Sequence, residues 1–580
     1  MNLRRNGTIL PLAAALFMGC AAGPQQEPAD LVLRNGHVVT VDTALPEAEA
    51  IAVRGHGIVA VGTDEEIEAY IGESTRVIDL GGRLTIPGLI EGHGHFMSVG
   101  QQKLNLDLMQ VRNWDEVVGM VAAAARDAAP DAWITGRGWH QEKWDRVPEP
   151  NVEGVPLHAS LDSVSPDNPV QLTHASGHAS FANRRALELA GIDRSTPDPE
   201  GGEIVRDAAG APTGLLRETA SGLVSRARAR AEANRPESER LAEQRRVAEL
   251  AAQEALANGV TTFVDAGVGF GTVDFYRTLE SEGALPVRLY VMIRESNDRL
   301  EEHLPRYLMP AEENDYLTVR AIKVTIDGAL GSHGAWLLEP YVDMPESVGI
   351  PTVPPERVAR TAELAIANGF QLNVHAIGDR ANREVLDIYE RTFAANPDRA
   401  DVRWRIEHAQ HLHPEDIPRF GELGVIAAMQ GVHATSDAPW IPRRLGDERA
   451  RSGAYVWRSL MESGAIIANG TDAPVEHVSP IASFYSTVSR RTGAGEVFYP
   501  EQRMTREEAL RSYTRNNAYA TFADSSLGSL TPGKLADIVV LSKDIMRIPE
   551  EEIPTAQVDL TIVGGVIRYQ RPETIAEDPS

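Results

Sequence analysis

Two histidines separated by one glycine close an apolar stretch near the start of the chain. The segment IPGLIEGHGHF begins at Ile86 and ends with His93, Gly94, His95 and Phe96. Side chains at positions i and i+2 of a strand share one face, so both imidazoles would point the same way. Two imidazoles on one face are suited to binding a cation. The alternative is a pair of surface histidines on a polar loop, and the spacing alone leaves both interpretations open.

Eight short apolar runs alternate with helix-like segments through the middle of the chain. The intervening stretches at residues 237–259 and 355–369 are amphipathic with helical periodicity. Strict alternation of eight strands with helices predicts an α/β fold, a (β/α)8 TIM-like barrel, in which active-site residues lie at the carboxyl ends of the strands. We place the strands at residues 84–92, 259–267, 287–293, 317–328, 370–379, 403–410, 424–431 and 464–474.

Six ionisable side chains lie toward the carboxyl ends of these runs. Any one of them could be an ordinary loop residue, but a barrel would bring all of them to the same end. Four imidazoles and a carboxylate suit a divalent metal, zinc in first place, as one ion or two. The lysine fits such a site if CO₂ converts it to a carbamate that bridges two ions; otherwise it must be neutral or displaced. The six residues are His93, His95, Lys323, His375, His408 and Asp472.

A site of this kind predicts hydrolysis by a metal-activated water. A divalent metal lowers the pKa of bound water from about 15.7 to about 7. Asp472 would bind the metal, accept a proton from this water as general base and return it to the leaving group as general acid.

Several longer motifs resemble the amidohydrolase superfamily of metal-dependent hydrolases. The similarity is greatest to its YtcJ-like branch, which includes N-substituted formamide deformylases. The resemblance implies that the four histidines and Asp472 are metal ligands or their neighbours, and it aligns Lys323 with the lysine of the family. Glu91 is a departure, because many members carry aspartate there. The motifs include GAPTGLLRET (210–219), HAIGDRAN (375–382), RIEHAQ (405–410), NGTDAPV (469–475) and GSLTPGKLADIVVL (528–541).

The resemblance implies hydrolysis of a carbon–nitrogen bond other than a peptide bond, in an amide, formamide or cyclic amide. Hydrolysis of an ester, carbamate or lactone on the same site is an alternative, and deamination is another. A protein of a different class, a non-catalytic lipoprotein that binds a metal or a ligand, also stays open. Retention of the full ligand set with Asp472 favours an enzyme.

Five further residues are candidate substrate contacts. His178 and Glu218 lie in the segment between the first two strands and could reach the site from above, or be a turn histidine and a helix-surface acid. Gln430 and His433 end the seventh strand and could line the pocket. Trp139 could form an aromatic wall or the core of the insertion.

The barrel and its flanking segments define the predicted domains. We assign residues 84–524 to the barrel, which is far longer than the roughly 250 residues of a typical barrel. A large insertion subdomain after strand 1, at about 97–236, would account for the excess. Alternating runs at 31–83 and 525–570 predict one small β-domain formed by both ends of the chain.

The first residues have the plan of a bacterial lipoprotein signal peptide. Two arginines precede an apolar run too short to span a bilayer, and Cys20, the only cysteine of the chain, follows it. We expect a signal peptide at 1–20, a flexible tether at 21–30 and a lipid on Cys20. The protein would then be exported and anchored on the periplasmic face of a bacterial membrane, the outer membrane in first place. An ordinary cleaved signal peptide or an uncleaved anchor is the alternative.

The charge of the chain limits its partners. The 580 residues carry a formal net charge of −27, which repels nucleic acid and anionic membrane surfaces. We therefore expect a small-molecule substrate, no nucleic acid, and membrane contact only through the lipid. The oligomeric state stays open, a homodimer included.

Overall fold

Eight parallel strands form the central sheet of the molecule. The computed structural model describes residues 26–310, 316–398 and 401–572, so Cys20 and the predicted signal peptide lie outside the described residues. Each strand pairs with the next one along the chain, and all eight predicted runs are confirmed as strands. The strands are β1 (Leu89–Gly94), β2 (Val260–Val268), β3 (Arg288–Ile293), β4 (Leu317–Thr325), β5 (Gln371–Ala376), β6 (Arg405–His408), β7 (Ile426–Gln430) and β8 (Ile467–Gly470).

The sheet closes into a barrel where β1 meets β8. Gly94 and Ala473 form a parallel bridge, and the His95 amide donates to the carbonyl of Ala473 at 2.7 Å. The Asp472 amide donates to the carbonyl of His93 at 2.8 Å. This closure is at the carboxyl ends of the strands, so it places the two histidines of β1 beside Asp472. The predicted TIM-like barrel is confirmed.

Helices cover the outer face of the barrel because each buries one stripe of small or apolar side chains. In the helix at Pro355–Ala367, Val358, Ala362 and Ala365 are buried at helical spacing. Within the described ranges, no helix has both the length and the apolar character required to cross a membrane. The helices between and after the strands are Phe96–Gln102, Glu237–Ala257, Phe270–Ser281, Asn297–His303, Pro355–Ala367, Asp379–Ala395, Ile417–Leu423, Gly431–Asp437, Ile441–Leu445, Asp447–Gly453, Trp457–Glu462, Pro480–Ser489, Arg506–Tyr513 and Arg515–Ala520.

Strands from both ends of the chain pair with each other outside the barrel. A four-stranded sheet has the order Gly57–Gly62, Ala50–Arg54, Leu31–Arg34, Arg76–Asp79, with the short helix Asp64–Glu68 beside it. A six-stranded sheet has the order Val566–Gln570, Val558–Val563, Ile538–Leu541, Leu84–Pro87, His37–Val39, Glu47–Ala48. The expectation of a small β-domain built by both ends is confirmed.

The run predicted as one strand at 84–92 is two strands. Leu84–Pro87 belongs to the six-stranded sheet and Leu89–Gly94 to the barrel. The division is at Gly88, whose amide donates to the carbonyl of Asp537 at 2.8 Å. A side chain at Gly88 would lie 2.2 Å from Thr261 Oγ1, so only glycine lets the chain cross between the sheets here.

The segment between β1 and β2 forms a subdomain with its own hydrophobic core. Trp114, Leu172 and Phe181 are buried in this core. Its six-stranded sheet has the order Gly202–Arg206, Pro212–Glu218, Ala179–Ala182, Val170–His174, Ile134–Trp139, Leu106–Asp107, and a small hairpin joins Asn151–Val152 to Val155–Pro156. Its helices are Trp114–Asp127, Ala159–Val164, Arg184–Ala190 and Ser221–Ala233.

Candidate active site

All six side chains predicted as metal ligands converge at the carboxyl ends of the barrel strands. Five are buried, and the imidazole of His95 is about one-third exposed, at 31%. Together they line one end of a cavity of about 1020 Å³ between the barrel and the insertion. They are His93 and His95 from β1, Lys323 from β4, His375 from β5, His408 from β6 and Asp472 just after β8.

Asp472 lies at the centre of this group. Its Oδ1 atom is 3.2 Å from His95 Nε2 and 3.6 Å from His93 Nε2. Its Oδ2 atom is 4.0 Å from His408 Nδ1. Lys323 Nζ is 3.2 Å from His93 Nε2. One carboxylate oxygen therefore faces the two imidazoles of β1, while the lysine approaches them from β4.

The imidazoles of His375 and His408 complete the group on the other side. Their ring centroids are 4.5 Å apart, and that of His408 is 4.7 Å from that of His93. His408 and Asp472 both have backbone φ angles in the left-handed region, 76° and 57°. Such angles are uncommon for residues other than glycine and cluster at functional sites, where the surrounding structure holds them in place.

Two buried partners fix the orientation of the histidine rings. Glu407 accepts a hydrogen bond from His93 Nδ1, and Arg405 Nε donates to the same carboxylate at 2.7 Å. Gln430 Oε1 accepts from His408 Nδ1 at 2.8 Å. With Nδ1 engaged as donor, each ring keeps Nε2 unprotonated as its ligand atom. Glu407 is not among the residues predicted from the sequence; its signal is the alternation of Arg405 and Glu407 on one face of a buried strand.

The electrostatics of the site favour neutral imidazoles and an ionised carboxylate. Burial, with the nearby ammonium of Lys323, lowers the pKa of His93 to about 4. Burial also holds the pKa values of His375 and His408 well below the ordinary histidine value. For Asp472, burial opposes ionisation, but its contacts with the site histidines outweigh burial and hold its pKa well below the ordinary value. Neutral imidazole and carboxylate are the forms that bind a metal.

Unsatisfied buried atoms show that these residues fit a metal ion. His375 Nε2 and Asp472 Oδ1 are buried and make no hydrogen bond to any residue in the described ranges. Buried polar atoms without partners are costly, so a ligand or ion is expected to satisfy them. Asp472 belongs to two trios whose ligand atoms lie within 4.8 Å of one another. The trios are His93, His95, Asp472 and His408, His433, Asp472.

Glu91, the departure from the family pattern, still supports the site. Its carboxylate accepts the amide of Thr471 at 2.5 Å, directly before Asp472. Burial raises the pKa of Glu91 to about 8. This side chain therefore connects β1 to the segment that carries Asp472.

The insertion brings His178 and Glu218 to the cavity, as the sequence analysis allowed. His178 Nδ1 is 2.8 Å from Glu218 Oε2, and its ring centroid is 5.0 Å from that of His375. Burial lowers the pKa of His178, but the adjacent Glu218 outweighs it and the net shift is upward. Glu218 Oε1 packs against Gly328 and Gly334 of the loop after β4, where Cβ atoms would lie 2.2 and 2.5 Å away.

The prediction of substrate contact is not supported for Gln430 and Trp139. Gln430 is buried behind His408, where its role is to orient the ring. Trp139 is 1% exposed in the core of the insertion, where its indole N–H donates to the carbonyl of Leu172 at 2.9 Å. Its ring stacks on Trp144 at a centroid distance of 6.0 Å. Neither residue lines the cavity of about 1020 Å³ or the narrow cavity described below.

A second, narrow cavity of about 60 Å³ opens from the same group of residues. His375, His408 and Asp472 line both cavities. Beyond them the narrow cavity is lined by His433, His140, His174, Leu330 and Trp440, among other residues. The site therefore lies where a large cavity and a small one meet.

Two further residues, which were not predicted from the sequence, connect segments that surround the site. Arg137 of the insertion donates to the carbonyls of Pro474 at 3.2 Å and Ala175 at 3.1 Å, which holds the insertion against the segment after Asp472. Asp327 accepts the amides of Ile377 at 3.0 Å and Gly378 at 2.8 Å. Asp327 thus joins the loop after β4 to the end of β5.

Comparison with known proteins agrees with this geometry. A family model described as "Amidohydrolase family" matches residues 76–569. The chain is 30% identical to YtcJ of Bacillus subtilis (strain 168), with 93% of this chain and 99% of that protein covered. It is 30% identical to the N-substituted formamide deformylase of Arthrobacter pascens, with 93% and 98% covered.

A solved structure extends the similarity to the fold. The crystal structure of an uncharacterized metal-dependent hydrolase from Pyrococcus horikoshii OT3 superposes with a TM-score of 0.70 at 25% identity. The superposition covers 90% of this chain and 99% of that one. Most of this chain therefore has a counterpart in one known architecture.

Proposed function

Because the chain belongs to the amidohydrolase family, we propose that it hydrolyses carbon–nitrogen bonds of N-acylated amines. The reaction would use a divalent metal, and zinc is the first candidate. The convergence of buried neutral imidazoles on the ionised carboxylate of Asp472 is the observation that carries the proposal. When bound there, a divalent ion supplies a nucleophilic water at neutral pH and polarises the substrate carbonyl.

The residues of the chain have separate roles in this proposal. Asp472 accepts the proton of the attacking water and passes it to the leaving nitrogen. Its Oδ1, which makes no hydrogen bond within the described residues, faces the imidazoles of β1 and is available for this transfer. His178, held by Glu218 above His375, would contact the substrate from the insertion.

The volumes of the two cavities favour a substrate with a short acyl group. A cavity needs a volume of roughly 10–15 Å³ to hold one water molecule. The narrow cavity of about 60 Å³ therefore holds only a few heavy atoms, such as a formyl or acetyl group. The cavity of about 1020 Å³ has room for the amine portion. The name of the deformylase that is 30% identical to this chain is in keeping with a small acyl group.

The proposal is tested by measuring the turnover of a series of substrates that share one amine and differ in the acyl group or in the bond to it. Zinc-loaded protein is assayed with the N-formyl, N-acetyl and N-benzoyl derivatives of one amine, and with the corresponding formate ester. We expect the rate to fall from formyl to benzoyl, and Asp472→Asn to lower kcat by about 10²–10⁴-fold while the protein stays folded.

Other outcomes distinguish the alternative functions. Turnover of the ester alone would replace the amide assignment by an esterase. Binding of the amides without turnover, equal in the wild type and Asp472→Asn, would identify a non-catalytic binding protein.

A further inference from the structure

The guanidinium of Arg294 lies near the predicted metal ligands, and no acid of the described residues pairs with it. Arg294 directly follows β3 and is exposed on the wall of the large cavity. It flanks Gly267 together with Lys323. A Cβ atom on that glycine would lie 3.0 Å from Lys323 Cγ and 3.3 Å from Arg294 Cβ. Arg294 is therefore a close neighbour of the residues that would surround the scissile bond.

Within the described residues, the hydrogen-bond partner of the Arg294 side chain is a neutral hydroxyl. Its Nη2 donates to Thr325 Oγ1 at 3.1 Å. Across the residues that the structure describes, no carboxylate oxygen lies within 4.0 Å of this guanidinium. The adjacent acid, Glu295, pairs with Arg299 at 2.9 Å and accepts the amide of Phe270 at 3.0 Å. The charge of Arg294 thus remains available to a ligand in the cavity.

A neighbouring arginine on the same cavity is neutralised instead. Arg360 lines the same cavity but pairs with Glu301 at 3.0 Å and with Glu363 at 2.9 Å. The hydroxyl partner of Arg294 is itself on a fixed segment, because Thr352 Oγ1 donates to the Thr325 carbonyl at 2.9 Å. The guanidinium is therefore positioned from the wall of the cavity without being neutralised there.

We propose that Arg294 binds a carboxylate on the amine portion of the substrate, so that the substrates are N-acyl amino acids with a short acyl group. The proposal rests on the function proposed above. A planar guanidinium with free N–H groups matches a carboxylate, and a hydrogen bond to a charged group is stronger than one between neutral groups. The position of Arg294 beside Lys323 suits a carboxylate that is close to the scissile nitrogen.

The experiment compares two substrates that differ only in the carboxylate, each assayed with the wild type and with a variant of Arg294. An N-formyl amino acid and the same compound with its carboxylate converted to a carboxamide are assayed with wild type and Arg294→Gln. We expect Arg294→Gln to lower kcat/KM for the carboxylate by about 10- to 100-fold, mainly through KM, and to leave the carboxamide within about 3-fold. Arg357→Gln, an exposed arginine on the same cavity, is the control and should change neither value.

A binding measurement separates this proposal from the proposed function. The probe is the unreactive N-sulfonyl analogue of the same amino acid, titrated calorimetrically into each variant. Tight binding to wild type and weak binding to Arg294→Gln, with no turnover of any amide, would retain the carboxylate site and remove the C–N hydrolase assignment. Turnover of amides with equal effects of Arg294→Gln on both substrates, or no effect, would overturn the carboxylate site alone.

Discussion

At the scale of single residues, the site depends on side chains that hold the predicted ligands as much as on the ligands themselves. His93 and His408 are buried neutral rings whose Nδ1 atoms are engaged by Glu407 and Gln430. Burial opposes the ionisation of Glu407, but Arg405 and His93 outweigh burial and hold its pKa below the ordinary value. A permanently ionised partner keeps the His93 ring in one tautomer with Nε2 directed into the site.

Glu407→Gln tests this dependence. Losing the carboxylate weakens the control of the His93 tautomer, and we expect metal affinity to fall by about 10- to 100-fold with the fold retained. Calorimetric titration of zinc into chelator-treated protein measures the change. Glu415→Gln, on the exposed turn after β6, is the control and should leave the affinity unchanged. An unaltered affinity in Glu407→Gln would mean that other contacts orient His93.

At the scale of elements, the insertion reaches the site by packing against the loop after β4. Glu218 lies against Gly328 and Gly334, and this contact positions His178 above His375. The loop leaves space for the Glu218 carboxylate because both positions lack a side chain. A change in this contact should alter how the insertion covers the site without touching the predicted metal ligands.

Gly334→Ala tests the contact. The added methyl would lie 2.5 Å from Glu218 Oε1, so the His178–Glu218 pair must move. We expect kcat/KM to fall by about 10-fold or more while metal content stays at the wild-type value, in line with the sensitivity of rates to small misplacements. Gly271→Ala, where no atom lies within 4 Å of the new methyl, is the control. A parallel loss of metal would show that the loop acts on the ligands instead.

The sequence predicted the elements that place the ligands better than it predicted the environment of single side chains. Strand periodicity and barrel topology together position His375 and Asp472, because the carboxyl ends of parallel strands meet at one face. The same patterns cannot tell a cavity wall from a core, and so the sequence leaves both interpretations of Trp139 open. Gln430 lies at the predicted strand end, but its side chain is buried and bonds to His408 Nδ1, a contact between two strands that periodicity along one strand does not reveal.

The residues that were not predicted from the sequence depend on contacts that strand and helix patterns do not reveal. Arg137 acts through backbone carbonyls, Pro474 and Ala175, that are distant from it in the sequence. Glu407 pairs with Arg405 two residues earlier on the same face of β6, but this short alternation does not reveal that the carboxylate also contacts His93. The division at Gly88 follows from close contact with Thr261, which an uninterrupted apolar run does not reveal.

At the scale of the whole molecule, the barrel and the β-domain are joined by a buried ion pair. Arg288 at the start of β3 donates to Asp537 at 3.0 Å, and both side chains are almost fully buried. Asp537 also accepts the amide of Gly564 at 2.8 Å. The pair therefore links the barrel to two segments of the C-terminal part of the six-stranded sheet.

Asp537→Ala tests this link. This substitution removes the buried carboxylate that pairs with Arg288, and breaking a buried ion pair costs about 3–5 kcal/mol in the free energy of unfolding. Chemical denaturation measures the change. Glu552→Ala, which removes an exposed ion pair with Lys543, is the control and should cost at most about 1 kcal/mol. Similar small effects for both variants would show that the β-domain contributes little to the stability of the barrel.

The composite β-domain also sets an order of events during biosynthesis. Leu84–Pro87 pairs with His37–Val39 on one side and with Ile538–Leu541 on the other. While the ribosome is still making the barrel, one edge of that early strand has no neighbour, and open edges recruit other chains. We therefore expect the nascent protein to carry an exposed β-edge through most of translation, and a chaperone that shields extended segments to raise its yield.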